Sequence, residues 1–163
     1  MFALGIDPGL TRCGYGLVEQ RGGDLRAVAA GHLATAVSDP LATRLATLLA
    51  DLQALVADLR PDVVVVERVL FQVNARTAMA VGQASGLALA VAASAGLPVV
   101  VHSPNEVKQA VTGYGAATKA QVQKMVQVVL GLDAPPRPAD AADALALAIC
   151  HLSGARLRAA ATP

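Results

Sequence analysis

Residues 61–67 read Pro61-Asp62-Val63-Val64-Val65-Val66-Glu67. Four consecutive valines between a turn signal and an acidic residue predict a short strand that is buried on both faces, and therefore central in a sheet. The segment before this strand, Leu41–Leu59, carries leucines and valines at helical spacing and predicts an amphipathic helix. A buried strand that follows an amphipathic helix indicates an α/β fold.

The chain before that helix predicts three strands in a meander. Phe2–Ile6 is a short apolar run that ends in the turn signal Asp7-Pro8-Gly9. Cys13–Glu19 and Leu25–Ala34 are two further strand candidates, and residues 21–24 between them predict a hairpin loop. Together with the valine strand, this arrangement predicts a mixed central sheet.

The second half of the chain predicts a further buried strand, Pro98–Val101, and four helices. Two of the helices begin at capping-box patterns, Ser103-Pro104-Asn105-Glu106 and Thr118-Lys119-Ala120-Gln121. The predicted helices cover Asn74–Ala95, Pro104 to Gly113, Thr118 to about Leu130, and Ala139–Leu152. We therefore expect one domain over residues 1–155, with helices flanking the mixed sheet, and a flexible C-terminal tail over residues 156–163.

The distribution of charge is more informative than the net charge of +1. Residues 1–67 contain five Lys/Arg and eight Asp/Glu, whereas residues 68–137 contain six Lys/Arg and two Asp/Glu. An acidic part joined to a basic part suits a carboxylate metal site beside a phosphate-binding surface, with chance asymmetry as the alternative. Cys13 and Cys150 have no metal-binding or disulfide spacing and are expected to be small buried hydrophobes.

The most apolar segment, Ala78–Ala95, is interpreted as a buried helix because it contains Gln83 and Ser85, although its length alone does not exclude a membrane span. A surplus of apolar and small residues in the same helix also fits a dimer interface. The residues after Met1 lack the basic start and cleavage site of a signal peptide. We expect a cytoplasmic protein without a membrane partner.

Four acidic residues are candidates for a shared site. Asp7 and Glu67 follow two strands that, if adjacent and parallel, end at the same edge of the sheet. Asp140 and Asp143 are three residues apart at the start of the last helix, on one face. Carboxylates that converge repel one another unless a hard cation neutralises them, and oxygen-only ligands point to Mg²⁺ or Mn²⁺. Two such ions about 3.5–4 Å apart are the usual clamp for phosphodiester hydrolysis.

Each acid also has a simpler interpretation. Asp7 is suited to a turn, and Glu67 to a solvated strand end. Asp140 and Asp143 are suited to a helix N-cap and to the favourable end of the helix dipole. Spacing alone does not establish that the four converge.

Several motifs, in order, resemble one known family. Gly5–Gly16 (GIDPGLTRCGYG) resembles the opening motif of the RuvC Holliday junction resolvases, and Glu67–Ala75 (ERVLFQVNA) is similar to the segment after the second acid of that family. Asp140–Ala146 (DAADALA) resembles the closing motif. Three further stretches match between them: Gly82–Gly86, Val107–Gly113 and Lys119–Met125. The matches extend from Gly5 to His151, and several motifs in order are more specific than any one of them.

The resemblance implies an RNase H-like fold and an endonuclease that makes paired, symmetric nicks in four-way DNA junctions during recombination and repair. It assigns the metal site and catalysis to Asp7, Glu67, Asp140 and Asp143, with two Mg²⁺ or Mn²⁺ ions and 5′-phosphate products. Asp7 is the expected bridge between the ions, because its strand is the most central. The implied assembly is a homodimer on junction DNA, and a branch-migration helicase complex is left open as a further partner.

The resemblance also implies contacts with nucleic acid. It assigns Lys108 and Lys119 to the substrate phosphates, with solvated helix residues as the alternative. Many family members carry an aromatic residue three places after the second acid, where this chain has Leu70, followed by Phe71. Either residue is a candidate wedge at the junction centre, and core packing is the alternative. The expected nucleic-acid contacts are Lys108, Lys119, Arg76, Phe71, Leu70 and Asn74.

Three other functions compete with this interpretation. A related RNase H-like nuclease that processes ribosomal RNA precursors shares a similar opening motif. The turn Asp7-x-Gly9-x-Thr11 is also similar to the phosphate-binding turn of actin-like ATPases, which need two lobes where this chain has room for one. A junction-binding protein without cleavage activity is disfavoured because all four acids are present.

Overall fold

A computed structural model describes residues 1–69 and 75–160, with only the backbone described at residues 75, 76 and 155–160. Its core is a five-stranded sheet in the order β3-β2-β1-β4-β5. The first three strands form the predicted antiparallel meander, and the last two are parallel to the first. The strands are β1 (Phe2–Asp7), β2 (Arg12–Arg21), β3 (Asp24–Ala34), β4 (Val63–Glu67) and β5 (Val99–His102).

Five helices cover the sheet. Both predicted capping boxes are present: the Ser103 and Thr118 hydroxyls accept hydrogen bonds from the backbone N–H of Glu106 and Gln121, and each partner side chain accepts from the backbone N–H of its cap residue. The helices are α1 (Leu41–Leu59), α2 (Ala75–Ser94), α3 (Pro104–Thr112), α4 (Lys119–Val129) and α5 (Ala139–Ala160).

The sheet separates two apolar layers. Because successive strand residues point to opposite faces, Val63 and Val65 pack with α3, α4 and α5, whereas Val64 and Val66 pack with α1 and α2. All four valines are at most 2% exposed. The prediction of an α/β domain with a mixed sheet flanked by helices is confirmed, as is the burial of both cysteines as free thiols.

A side-chain-to-backbone hydrogen bond between residues 60 positions apart in the chain aligns the two central strands. The Asp62 carboxylate accepts a hydrogen bond of 2.6 Å from the Phe2 backbone N–H, and the Asp62 N–H donates to the Phe2 carbonyl oxygen over 2.8 Å. Asp62 therefore holds the start of β4 beside the start of β1. The register that follows pairs Ile6 with Val66, so the two strands end together.

Helix α5 lies unusually close to β1 and β2 because glycines face it. A Cβ atom added at Gly5 would collide with the carbonyl oxygen of Ala144, and one at Gly14 with the carbonyl oxygen of Asp140. Only a residue without a side chain permits this approach of backbone to backbone. The two glycines therefore set the distance between the sheet and the first turns of α5.

Three details differ from the sequence-based expectations. The strand predicted as buried, Pro98–Val101, is the half-buried edge strand β5, with Val101 38% exposed, because no further strand covers it among the described residues. The last helix was predicted to end at Leu152 but extends to Ala160, because residues 154–160 are mostly strong helix formers. The boundary expected at residues 155/156 thus lies inside a helix.

The long apolar helix α2 is the third difference. It was interpreted as buried, but only 28% of Thr77–Ser94 is buried. The helix packs on α1 and the sheet with one side and exposes the other side. By length and composition this segment, with a mean hydropathy of 1.3, is also the one described helix apolar enough to cross a membrane. Partly covered apolar helices of globular proteins meet the same criterion.

We expect Gly14→Ala to destabilise the protein by about 1–3 kcal/mol, because the added methyl group must push α5 away from β2. Urea unfolding monitored by circular dichroism measures this change. Gly115→Ala is the matched control, since a Cβ there meets its nearest described neighbours at 3.6 and 3.8 Å, which is ordinary contact. Equal unfolding midpoints for the two variants would contradict the close approach of α5.

Candidate active site at the ends of the central strands

Asp7 and Glu67 stand side by side at one edge of the sheet. They are the last residues of the adjacent parallel strands β1 and β4, whose register pairs the residues directly before them. Both line a cleft of about 270 Å³. The cleft also contains Asp143, Lys108 and Lys119. Three of the four predicted acids and two predicted basic residues therefore meet in one place.

Asp140 lies beside this cleft rather than in it. It occupies the first turn of α5, one turn before Asp143, and lines a second cavity. Asp140 is nevertheless close enough to raise the pKa of Asp7 by charge repulsion. Asp7 is thus electrostatically coupled to the other three acids, although Asp140 lines a different cavity.

The central acid is strongly perturbed. Burial, followed by repulsion from Glu67, Asp143 and Asp140, raises the pKa of Asp7 to about 7, against the weaker opposing effect of Lys119. Burial and the Asp143 charge likewise raise the pKa of Glu67, while Lys119 and Lys108 act in the opposite direction. The cleft therefore concentrates negative charge that its own basic residues only partly offset.

Lys119 is held by one of the acids. Its Nζ donates a hydrogen bond of 2.8 Å to Asp143 Oδ2, and this bond, more than any other interaction, raises the pKa of the lysine. The residue is the first of α4, so the Thr118 capping box fixes the position of its backbone. Lys108, on α3, is half-buried and also lines the cleft.

Arg12 and Arg44 are charged neighbours of the site that sequence reasoning did not single out. Arg12 Nε lies 3.2 Å from Asp140 Oδ2 as an ion pair, yet this buried oxygen accepts no hydrogen bond among the described residues. Arg44, from α1, donates to the hydroxyls of Thr11 and Thr35. Arg12 lies within the GIDPGLTRCGYG motif, which was a usable signal, whereas Arg44 reaches the site across 33 residues of chain and had none.

Four of the expected nucleic-acid contacts cannot be located by side chain. Leu70, Phe71 and Asn74 lie outside the described residues, and only the backbone of Arg76 is described, in the first turn of α2. His102 does not line the cleft; its ring faces that of His151, with 6.2 Å between centroids.

The donor set suits a hard divalent cation. Asp7 and Glu67 are crowded carboxylates with raised pKa values, and the buried Asp140 oxygen lacks a hydrogen bond, so all three offer oxygen ligands that a cation would stabilise. As placed, however, no three Asp, Glu, His or Cys side chains among the described residues form a ligand group. Asp143 and Asp140 are instead paired with Lys119 and Arg12.

A mixed sheet in this strand order, with carboxylates at the ends of β1 and β4, defines the class: the chain has an RNase H-like nuclease fold. The family model described as crossover junction endodeoxyribonuclease RuvC matches residues 3–151. The chain belongs to this family.

Individual relatives agree with the family match. The crossover junction endodeoxyribonuclease RuvC of Moorella thermoacetica is 51% identical over 97% of this chain and 95% of its own length. The protein of the same name from Thermobifida fusca is 54% identical over 93% of this chain and 84% of its own length. Thermus thermophilus RuvC, solved in complex with a Holliday junction substrate, is 38% identical with a TM-score of 0.91, covering 97% of this chain and 96% of its own.

The raised pKa of Asp7 predicts a pH-dependent stability in the absence of metal. Between the ordinary value of 3.8 and the folded value of about 7, the folded state binds more protons than the unfolded state, so stability falls as pH rises through this window. We expect Asp7→Asn to melt at a higher temperature than the wild type at pH 8 in chelator, by several degrees, and to exceed it by less at pH 5, where only part of the window has been crossed; each kcal/mol shifts the melting temperature by roughly 2–4 °C.

Thermal melts of both proteins at the two pH values measure this difference. Asp24→Asn, on the exposed hairpin at the other end of the sheet, is the control for removing one carboxylate. The expectation is wrong if Asp7→Asn shifts the melting temperature equally at pH 5 and pH 8.

Proposed function

We propose that this chain is a Holliday junction resolvase that makes paired, symmetric nicks in four-way DNA junctions in the cytoplasm, during recombination and repair, and leaves 5′-phosphate ends. The observation that carries the proposal is the convergence of Asp7, Glu67 and Asp143 with two lysines in one cleft, in a chain of the RuvC family. The similarity to a RuvC protein that was solved on a Holliday junction substrate supports the choice of DNA junctions.

In this proposal Asp7, Glu67, Asp140 and Asp143 hold two Mg²⁺ or Mn²⁺ ions. Asp7 is on the middle strand of the sheet, and burial together with the charges of the other three acids raises its pKa. Both observations support its role as the bridging ligand. When bound, the ions supply activation of a water molecule and stabilisation of the departing 3′ oxygen. Asp143 would either give up its hydrogen bond with Lys119 to coordinate an ion, or keep that hydrogen bond and orient a metal-bound water molecule.

The lysines bind the substrate phosphate in this proposal. Lys119 is protonated at neutral pH, as a lysine ordinarily is, and its bond to Asp143 raises its pKa further. Its side chain lines the cleft and is 76% exposed. It can therefore neutralise charge on a phosphate oxygen. Lys108 faces the cleft from α3 and is proposed to contact the same backbone.

Leu70, Phe71, Asn74 and Arg76 remain the proposed contacts near the junction centre. In the chain, these residues follow β4, which ends at Glu67, and they extend to the first turn of α2. An aliphatic or aromatic side chain there can stack on an exposed base. A branch-migration helicase complex is compatible with the proposal but is not required by it.

Cleavage of an end-labelled synthetic four-way junction tests the function. We expect paired nicks on opposite strands with Mg²⁺ or Mn²⁺, none with a chelator, and a loss of roughly 100-fold or more in Asp7→Asn, because that variant removes a fixed charge at the reacting centre. Asp24→Asn should cut like the wild type. Linear duplex and RNA–DNA hybrid are the comparison substrates.

Each alternative outcome has a defined meaning. Cleavage of RNA or of the hybrid in preference to the junction would move the function to the RNA-processing relatives with the same fold. Tight junction binding without cleavage under either metal would leave a recognition protein and refute the proposed role of the acids.

We further propose that the active form is a homodimer assembled through α2. This helix exposes an apolar side, including Met79 at 66% exposure, and only 28% of Thr77–Ser94 is buried in the single chain. Monomeric proteins seldom leave such a surface uncovered. A dimer would also supply the two sites that symmetric nicks require.

Met79→Asp should convert the dimer into a monomer, because it introduces a charge into the proposed apolar interface. Light scattering after size-exclusion chromatography measures the mass, and the junction assay shows whether the nicks lose their pairing. Val128→Asp, at a similarly exposed apolar position on α4 (60%), is the control. A Met79→Asp protein that keeps the wild-type mass would refute this interface.

A further inference from the structure

A second cavity adjoins the active-site cleft and has no role in the function proposed so far. Its volume is about 540 Å³, and Asp140 forms part of its wall. It lies between the β1–β2 turn, the first turn of α1, the N-terminal part of α2 and the first turn of α5. The polar residues that line it are Thr11, Arg12, Arg44, Thr77 and Asp140.

Arg44 is held rigidly at this cavity. Its Nε donates to Thr35 Oγ1 over 2.9 Å and its Nη2 donates to Thr11 Oγ1 over 2.8 Å. Thr35 Oγ1 in turn donates to the Leu10 carbonyl oxygen over 2.5 Å, so the whole chain of bonds is anchored to the β1–β2 turn. A guanidinium has five N–H donors, and three of those in Arg44 have no acceptor among the described residues.

Arg12 contributes a second guanidinium from the same turn. Its side chain is 59% exposed and contacts Asp140 only through Nε, at 3.2 Å. The other nitrogens of its fork have no acceptor in the described part of the chain. Two guanidinium groups thus face one carboxylate, which leaves the cavity with an excess of positive charge beside a cleft with an excess of negative charge.

We propose that the Arg12–Arg44 cavity binds a backbone phosphate of the DNA strand being cut, next to the phosphate that is cleaved. This inference rests on the proposed junction-cleaving function. Paired N–H donors of arginine match the geometry of phosphate oxygens, and the Thr11 and Thr77 hydroxyls are further phosphate contacts. The location fits because Asp140 and Asp143, one helical turn and about 5–6 Å apart, face the two neighbouring cavities.

The site would fix the register of the strand. A phosphate held by Arg12 and Arg44 on one side of Asp140 sets which phosphate lies between Asp7 and Lys119 on the other side. Arg44 is therefore a positioning residue in this proposal. Because its fork is already oriented by two threonines, binding requires little further ordering of the side chain.

A junction with single neutral methylphosphonates tests this assignment. Binding is measured in chelator by fluorescence anisotropy for the wild type and for Arg44→Gln, with the neutral group moved one phosphate at a time around the cleavage site. We expect one position, adjacent to the cut, where neutralisation weakens wild-type binding about 10-fold, as for loss of a hydrogen bond to a charged group. At that position, the neutral group should not weaken the binding of Arg44→Gln any further, because the variant already lacks the contact.

Without any modification, Arg44→Gln should bind the junction about 10-fold more weakly, and the slope of log affinity against log salt should fall by about one. Arg26→Gln is the matched control, because Arg26 is an exposed residue of β3 near the hairpin, at the end of the sheet opposite Asp7. It should retain both the affinity and the slope of the wild type. A purely structural role of Arg44 would weaken binding without this dependence on one phosphate.

Arg12→Gln provides a second variant if Arg44→Gln fails to fold by circular dichroism, since the Arg12 side chain is largely exposed. It should show the same single phosphate position. If every methylphosphonate weakens binding by the same factor in the variants as in the wild type, the phosphate site is refuted while the resolvase function stands. If the wild type neither binds nor cuts four-way junctions, the proposed function fails and this inference fails with it.

Discussion

The contact between the backbone of α5 and the glycines of β1 and β2 is the constraint on which the site depends. Gly5 and Gly14 let the helix approach until its carbonyl oxygens occupy the space of absent side chains. This approach brings the Asp140–Asp143 turn within electrostatic reach of Asp7, at the end of the middle strand. Without this approach, Asp140 and Asp143 would lie too far from Asp7 to raise its pKa.

The crowding of carboxylates that results is unfavourable for the fold by itself. Burial and mutual repulsion raise the pKa values of Asp7 and Glu67, and two of the acids are offset by Lys119 and Arg12. Retaining charges that oppose folding is typical of functional sites, where the opposing charge arrives with a ligand. Both offsetting side chains are mostly exposed, so they have room to reorient if cations bind the acids.

Much of this arrangement could be predicted from local patterns. The valine run and the Asp7-Pro8-Gly9 turn predict where two central strands end, and parallel strands that end together bring Asp7 and Glu67 to one edge. The Arg12–Asp140, Lys119–Asp143 and Arg44–Thr11 contacts could not be predicted, because they join residues far apart in the chain and have no periodic signature. The edge position of β5 likewise depends on sheet order, which a short apolar run does not encode.

The hairpin between β2 and β3 offers a practical consequence of the strand directions. It lies at the end of the sheet opposite Asp7, and the ten residues of β2 separate the two ends by roughly 30 Å. The sequence contains only two cysteines, both buried, and burial raises the pKa of the Cys13 thiol to about 11. A cysteine introduced at exposed Asp24 would therefore react selectively with a maleimide dye, which would label the protein at the end of the sheet opposite the cleft.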